Sequence, residues 1–209
     1  GIFLLTLSTG AVGYGQYYVL QHLPFIDCLP YKRGNDIKEQ MKVPEGAIPD
    51  SISIQMSFLK NGKTVQFDVN QFPADFDSTY VYQDRKEVLI QNGNGLVAKI
   101  VDFSLFTLNN EDTTESLFNS STPYVLIFSG NIDSSIPWDT LIKTIQEKHQ
   151  QVYLITADKS NALQLKLDIP VLVGDMTMIK TAARVWPTIA IMNGSTIMEK
   201  QSYIDYLKK

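Results

Sequence analysis

The sequence contains very little cysteine and histidine: one cysteine, Cys28, and two histidines, His22 and His149, in 209 residues. One cysteine excludes an internal disulfide, a dithiol redox pair and a cysteine-rich metal site. Catalysis by a Ser-His-Asp or Cys-His set would need one of the two histidines. No phosphate loop, dinucleotide-binding glycine motif or nucleophile elbow is present. The sequence therefore predicts no metal and no other cofactor.

Strong charge of one sign is also absent. The chain has 18 Lys and Arg against 22 Asp and Glu, a formal net charge of -4. Without a basic stripe, nucleic acid is not an expected partner. Apolar residues make up 44% and charged residues 19% of the chain, a composition that supports an ordinary core and does not indicate disorder.

Residues 1–26 contain no Asp, Glu, Lys or Arg. The segment starts with the apolar run Ile2–Leu7 and ends in three tyrosines, Tyr14, Tyr17 and Tyr18. Between them lie the small residues Gly10, Ala11 and Gly13, which would let another helix pack closely. Such a pattern is typical of a transmembrane helix leaving the bilayer. A signal-peptide core and a buried helix of a soluble domain are the alternatives. Because the chain begins with Gly inside an apolar run, we favour the end of a membrane helix over residues 1–21.

The middle of the chain predicts a linker and a β-rich extension over residues 22–100. Ser51–Phe58 and Val65–Val69 alternate apolar and polar residues, and Asn61-Gly62 between them is typical of a type I′ turn, which together predict a hairpin. Further short strands are expected at Thr79–Tyr82 and Val88–Gln91. Before the hairpin, Asn35 or Asp36 can cap a short helix that ends at Met41.

Residues 101–209 alternate strands and helices. Apolar runs predict a strand beginning at Asp102–Leu105, two buried strands at Tyr124–Phe128 and Gln151–Thr156, and a hairpin at Thr188–Met198 with its turn at Asn193-Gly194. The intervening helices have candidate caps at Thr113 or Thr114, Ser135, Ser160 and Asp175, and a short helix closes the chain at Tyr203–Leu207. This order predicts parallel crossovers followed by antiparallel strands.

The order of these elements, with Val185-Trp186-Pro187-Thr188 entering a strand, resembles the thioredoxin fold. The predicted fold class is therefore α/β, with a thioredoxin-like domain over 101–209 preceded by the β-rich region and the N-terminal apolar helix. The resemblance implies that Pro187 occupies the position of the thioredoxin cis-proline, so a cis Trp186-Pro187 bond is expected. A trans proline opening an edge strand is the alternative.

The segment where thioredoxins carry their redox pair, Ser129–Ile136, contains no cysteine. The domain is therefore expected to be redox-inactive and to act as a non-catalytic binding or scaffolding module, because thioredoxin chemistry needs an activated thiolate. Ser134 and Ser135 are expected to be helix caps. The candidate surface for an extended peptide or protein partner consists of Pro187, Trp186, Thr188, Ser129, Asp133, Ser134 and Ser135.

The alternative function is thiol–disulfide chemistry that uses Cys28, or the cysteines of a partner. This hypothesis requires Cys28 to be exposed and close to Pro187. The residue type instead favours a buried, inert cysteine.

The segment His22–Gly34, with Leu-Pro-Phe-Ile-Asp-Cys-Leu-Pro-Tyr-Lys-Arg inside it, resembles the junction in bacterial DoxX/MauE-like membrane proteins. The resemblance implies an extracytoplasmic tail on the periplasmic side of the inner membrane, partnered by a membrane domain of the same or an associated protein. The several membrane helices of that family are absent, and the resemblance implies no established activity for the tail. A substrate-binding domain serving a transporter or oxidase is a further alternative. Membrane-interface contacts are expected at Tyr17, Tyr18, Tyr31, Lys32 and Arg33.

Overall fold

The computed structural model describes the backbone of residues 2–208 and the side chains of residues 12–208. Gly1, Lys209 and the side chains of the predicted apolar run and of Gly10 and Ala11 lie outside the described residues. The chain divides into two compact units, one of residues 43–98 and one that combines residues 1–42 with 99–209. Each unit has its own sheet.

The first helix, α1, spans Ile2–Gln21. No helix in the described part of the chain is long and apolar enough to cross a membrane. We therefore correct the predictions of an N-terminal membrane helix and of an inner-membrane, periplasmic location. The absence of charge over residues 1–26 was misleading because Gly13, Gly15 and Gln16 contribute little apolar surface.

The unit of residues 43–98 contains a three-stranded antiparallel sheet with strand order β2-β1-β3. Its strands are β1 (Ser51–Lys60), β2 (Lys63–Asp68) and β3 (Val81–Gln91). The predicted hairpin is confirmed, since Asn61 and Gly62 join β1 and β2 with φ angles of 50° and 74°, as a type I′ turn requires.

The two short strands predicted after the hairpin form one continuous strand, β3. Its charged segment Asp84–Glu87 is exposed and continues the pairing with β1. Charged side chains are compatible with a strand at the edge of a sheet, because they face solvent there. The charged residues between the two predicted strands therefore do not interrupt β3.

Phe58 is the centre of the core of this unit, and its side chain is 6% exposed. Five aromatic rings from β2, β3 and the loop between them lie with their centroids 5.0–6.2 Å from that of Phe58: Phe67, Phe72, Phe76, Tyr80 and Tyr82. Edge-to-face contacts between such rings stabilise the unit beyond simple burial.

The second unit contains a six-stranded sheet with order β4-β7-β6-β5-β8-β9. The strands β5, β6 and β7 are parallel, and β4, β8 and β9 run antiparallel to their neighbours. The bounds are β4 Leu105–Phe106, β5 Tyr124–Phe128, β6 Val152–Thr156, β7 Val171–Gly174, β8 Thr188–Asn193 and β9 Thr196–Ser202. The short strand β7 was missed in the sequence, because four residues between two helices give too little periodicity.

Side chains of β5 alternate between the two faces of this sheet, and each face has a core. One core contains Tyr124 and Phe128, and the other contains Val125 and Ile127 with Trp138. The helices of this unit after α1 are α2 Ile37–Met41, α3 Thr114–Phe118, α4 Trp138–Gln146, α5 Lys159–Gln164, α6 Met176–Ala182 and α7 Tyr203–Leu207.

The predicted helix caps are confirmed at two positions and wrong at two others, and at a fifth Thr113 is the N-cap residue of α3 without a side-chain hydrogen bond. Asp36 caps α2 and Asp175 caps α6 through hydrogen bonds from backbone N–H groups. By contrast, Ser135 and Ser160 are not caps. Pro137 is the N-cap residue of α4 without a side-chain bond, and Asp158 caps α5.

Residues 31–42 pack on the edge of the six-stranded sheet, although the sequence grouped them with the β-rich extension. The Gly34 N–H donates to the Ile197 carbonyl at 2.7 Å, and the Ile197 N–H donates to the Asn35 carbonyl at 3.0 Å. This pairing satisfies backbone groups of β9 that would otherwise be exposed at the edge. The fold class is therefore corrected to a mixed α/β protein with two separate sheets.

Candidate functional site

The Trp186-Pro187 peptide bond is cis, as the sequence led us to expect. Pro187 is buried, and its carbonyl accepts a hydrogen bond from the Tyr203 N–H at 3.0 Å. The buried Thr188 hydroxyl donates to the Val185 carbonyl at 2.6 Å. Proline has no N–H, so this position offers a partner no backbone donor. Pro187 and Thr188 are thus buried and engaged within the fold, whereas Trp186 is half-buried and is the most exposed of these three candidate residues. The peptide contact at this segment stays a prediction.

The loop after β5 contacts Trp186. A Cβ atom on Gly130 would lie 2.5 Å from Trp186 Cη2, so only glycine fits against the indole. The neighbouring Ser129 is buried, and its hydroxyl donates to the Asn131 carbonyl at 2.7 Å. The structure thus brings two of the candidate segments together through Gly130 and Trp186, while the Ser129 hydroxyl is engaged within its own loop.

The rest of that loop has a structural role. The exposed Asp133 carboxylate accepts a hydrogen bond from the Ser135 N–H at 2.8 Å, and the Asp133 carbonyl accepts one from Trp138 Nε1 at 2.9 Å. The bond from Ser135 holds the pKa of Asp133 below its usual value. Ser134 and Ser135 are exposed in the turn before α4. These residues shape the loop and do not line the groove described next.

A groove of about 940 Å³ lies beside Trp186, and we call it the Trp186 groove. Its apolar wall is formed by five residues from the end of α1, the following loop and the segment before β8: Val19, Leu20, Leu29, Val185 and Trp186. Val19 and Leu20 are 60% and 77% exposed, so this wall carries apolar surface that is open to a ligand.

The polar side of the Trp186 groove is positively charged. Thr177, Lys180 and Thr181 lie on one face of α6, since their spacing of three and four residues matches a helical turn. Arg184 follows the helix and also lines the groove. Among the described residues that line it there is no carboxylate, so Lys180 and Arg184 contribute two positive charges to the lining.

The residues expected at a membrane interface have different environments. Tyr17 is 59% exposed, and Tyr18 stacks on His22 with ring centroids 4.3 Å apart. Lys32 and Arg33 are exposed. Tyr31 instead belongs to the core with 3% exposure, and burial raises the pKa of its hydroxyl. These residues therefore do not form one continuous exposed patch.

Sequence reasoning missed a buried ion pair between Lys200 of β9 and Asp27. The two side chains are 5% and 19% exposed, and Lys200 Nζ donates to Asp27 Oδ2 at 2.8 Å and to the Tyr31 carbonyl at 2.8 Å. Burial lowers the pKa of Lys200, and Asp27 opposes that effect. The partners are 173 positions apart, so no local pattern signals the pair.

The two histidines lie in different environments. His22 Nδ1 lies 2.7 Å from Asp205 Oδ1 and links the end of α1 to α7. Burial lowers the pKa of His149, which disfavours the charged form that a helix C-terminus would stabilise. No group of three His, Cys, Asp or Glu side chains in the described residues is arranged to hold a metal ion.

Cys28 is exposed, so the prediction of a buried cysteine is wrong. The adjacent Leu29 lines the Trp186 groove. An exposed loop between Pro24 and Pro30 holds the cysteine at the surface, where the expected apolar packing is absent.

One family of domains, described as a domain of unknown function (DUF8463), matches residues 54–92, which lie in the unit with the three-stranded sheet. The match covers well under half of the chain. No curated protein and no solved structure matches the chain. The comparisons give no support to a DoxX/MauE-like or thioredoxin-like identity. The described residues also contain no helix that could cross a membrane. On these two findings we correct the description of the protein as DoxX-like, membrane-bound and periplasmic.

Proposed function

We propose that the protein is a non-catalytic binding module that holds an extended acidic segment of a partner protein in the Trp186 groove. The observation that carries this proposal is the composition of the groove: an exposed apolar wall opposite Lys180 and Arg184, with no carboxylate among the described lining residues. An acidic segment with apolar side chains is complementary to both sides.

The two sides of the groove would contribute in different ways. Apolar side chains of the partner would remove Val19, Leu20 and Trp186 from water, at about 25 cal/mol for each Å² of apolar surface. Glutamate or aspartate side chains would accept charge-assisted hydrogen bonds from Lys180 and Arg184. Electrostatic complementarity of this kind gives a preference for acidic partners.

A binding role fits the residues of the groove better than catalysis. Lys180 and Arg184 are the titratable residues among the described lining positions, and no histidine or carboxylate lies there to act as a general base. The Thr181 hydroxyl beside Lys180 donates to the Thr177 carbonyl at 2.8 Å. Acid–base or nucleophilic catalysis requires a general base within hydrogen-bond distance of the reacting group. The groove can therefore hold a ligand by contact and charge.

Trp186 provides the probe for a direct test. The second tryptophan, Trp138, is 4% exposed, so a ligand in the groove should change the emission of Trp186 alone. The full chain is titrated with an eight-residue peptide that alternates glutamate and leucine, and with a matched peptide that alternates lysine and leucine. We expect saturable binding of the acidic peptide and none of the basic one.

Two variants that each lose one positive charge distinguish peptide binding in the groove from non-specific electrostatic attraction to the protein. Arg184→Gln removes a lining cation and should weaken the acidic peptide about tenfold, the effect of losing one charge-assisted hydrogen bond of about 1.4 kcal/mol. Lys143→Gln removes an exposed cation on α4 outside the groove and should leave the affinity unchanged. Equal affinities of the two variants, or no binding by the unsubstituted chain, would contradict the proposal.

Thiol–disulfide exchange through Cys28 is a second candidate function, because that thiol is exposed and its neighbour Leu29 lines the groove. The Cys28 thiolate would attack a disulfide of the partner and release one of its two sulfurs as a thiolate. The rate of mixed-disulfide formation with oxidised glutathione tests this candidate, with Cys28→Ser as the blank. A rate well above that of free cysteine supports it, and a rate equal to or below that of free cysteine refutes it.

A further inference from the structure

A second pocket, of about 310 Å³, lies between β9 and the segment that follows α1. Its charged residues are Asp27, Lys32, Arg33 and Lys200, and we call it the Lys200 pocket. Lys32 and Arg33 are exposed, whereas Lys200 lies at the buried end. The pocket is distinct from the Trp186 groove, with which it shares no lining residue.

The Lys200 ammonium group has an unused donor. Its side chain is only 5% exposed, and it donates to Asp27 Oδ2 and to the Tyr31 carbonyl. An ammonium group has three N–H donors. In the described part of the chain the third one has no acceptor. An acceptor atom of a ligand in the pocket can therefore complete the hydrogen bonds of this ammonium group.

The charges around the pocket are unbalanced. Three cations face one carboxylate, Asp27, which leaves an excess of two positive charges. Arg184 adds to the positive potential at Lys200, because its charge acts on the Lys200 ammonium group. Like charges in a partly buried site repel one another, so this arrangement favours a ligand that carries two negative charges.

The remaining wall of the pocket is apolar. Leu23, Pro24 and Phe25 line it, and Phe25 is 89% exposed. The Phe25 ring stacks on Tyr18 with centroids 5.1 Å apart, which holds it in place. An exposed ring fixed beside a cationic pocket can receive the flat organic part of a ligand whose anionic group lies inside.

We propose that the Lys200 pocket binds the phosphate group of a small phosphate monoester, with the organic part of the ligand against Leu23, Pro24 and Phe25. A phosphate monoester carries close to two negative charges at neutral pH, which matches the excess of positive charge. Its oxygens accept from the free donor of Lys200, and the Arg33 guanidinium can bind two of them together. This site does not depend on the proposed peptide function.

Phenyl phosphate is the probe for this site, and isothermal titration of the full chain gives its affinity. Inorganic phosphate, benzoate and phenol are titrated alongside it at matched ionic strength, since exposed charges are screened by salt. We expect saturable binding of phenyl phosphate, weaker binding of inorganic phosphate and benzoate, and none of phenol. Benzoate or phenol binding as tightly as phenyl phosphate would overturn the assignment of the ligand class.

Arg33→Gln and Lys143→Gln form the matched pair of variants, because both remove one exposed cation and only Arg33 lines the pocket. Arg33→Gln should weaken phenyl phosphate at least tenfold, and Lys143→Gln should not change it. Absence of saturable binding, or equal affinities in the two variants, would overturn the proposal. The acidic peptide should bind Arg33→Gln normally, so failure here is distinguishable from failure of the Trp186 groove.

Discussion

Replacement of Lys200 by methionine should destabilise the unit that contains the six-stranded sheet by about 3 kcal/mol. Methionine has similar length and no charge, so the main losses are the ion pair with Asp27 and the hydrogen bond to the Tyr31 carbonyl. Removal of one partner from a buried pair costs about 3–5 kcal/mol. Asp27 remains 19% exposed and keeps a hydrogen bond from the Leu29 N–H, which places the expected loss at the lower end.

Urea unfolding followed by tryptophan fluorescence measures this loss. The two tryptophans, Trp138 and Trp186, both belong to the unit formed by residues 1–42 and 99–209, so their emission reports on that unit. A matched substitution of an exposed lysine, Lys143→Met, should change the free energy of unfolding by less than about 0.5 kcal/mol.

A double-mutant cycle with Asp27→Asn identifies the cause. Asp27→Asn leaves the Lys200 ammonium buried without its counter-charge and is expected to destabilise the unit as well. When both residues are replaced, no buried charge is left unpaired. The double variant should therefore lose at least about 1.5 kcal/mol less than the sum of the single losses. Additive losses, or a single loss below about 0.5 kcal/mol, would refute the reasoning.

The stability lost in Lys200→Met should depend on pH. Burial lowers the pKa of Lys200 in the folded protein below the value of 10.5 that applies when the chain is unfolded. Between those two values the unfolded chain binds more protons at this position, so folding becomes more favourable as the pH rises. The stability difference between the unsubstituted protein and Lys200→Met should therefore increase with pH up to about 10.5 and then level off.

Three further predictions concern packing and capping. Phe58→Ala should destabilise the unit of residues 43–98 by about 3–5 kcal/mol, because Phe58 is the buried centre of its aromatic core. We expect faster hydrogen exchange that is confined to peptides of that unit. Unchanged slow exchange in those peptides would contradict the prediction. Asp36→Ala should lower the free energy of unfolding in urea by about 2 kcal/mol, and Asp175→Ala should lower it by about 1 kcal/mol. Both variants lose a helix cap, but Asp36 also accepts hydrogen bonds from two hydroxyl groups. Equal losses would show that the hydroxyl bonds add nothing. Gly130→Ala should shift the emission of Trp186 and lower the free energy of unfolding by about 1–3 kcal/mol, because the added methyl group overlaps the indole. An unchanged emission spectrum would show that the contact is loose.

Local features of the fold followed from the sequence. The Asn61-Gly62 turn, the buried strand Tyr124–Phe128 and the cap at Asp175 depend on residues a few positions apart, and all three are present. The predictions that failed relied on one property taken alone. Absence of charge suggested a membrane helix, and Ser135 suggested a cap although the helix begins three residues later, at Trp138.

The site had to come from the tertiary structure. Trp186 was a candidate from the sequence, but Lys180, Arg184 and Leu20 join it in one groove because α6 and the end of α1 both contribute to the lining. Local geometry is encoded within a few residues, since turns, caps and strand periods depend on neighbouring backbone groups. The pairing of Lys200 with Asp27 depends on how segments distant in the sequence pack together, and neither the spacing nor the periodicity of residues along the chain predicts that packing.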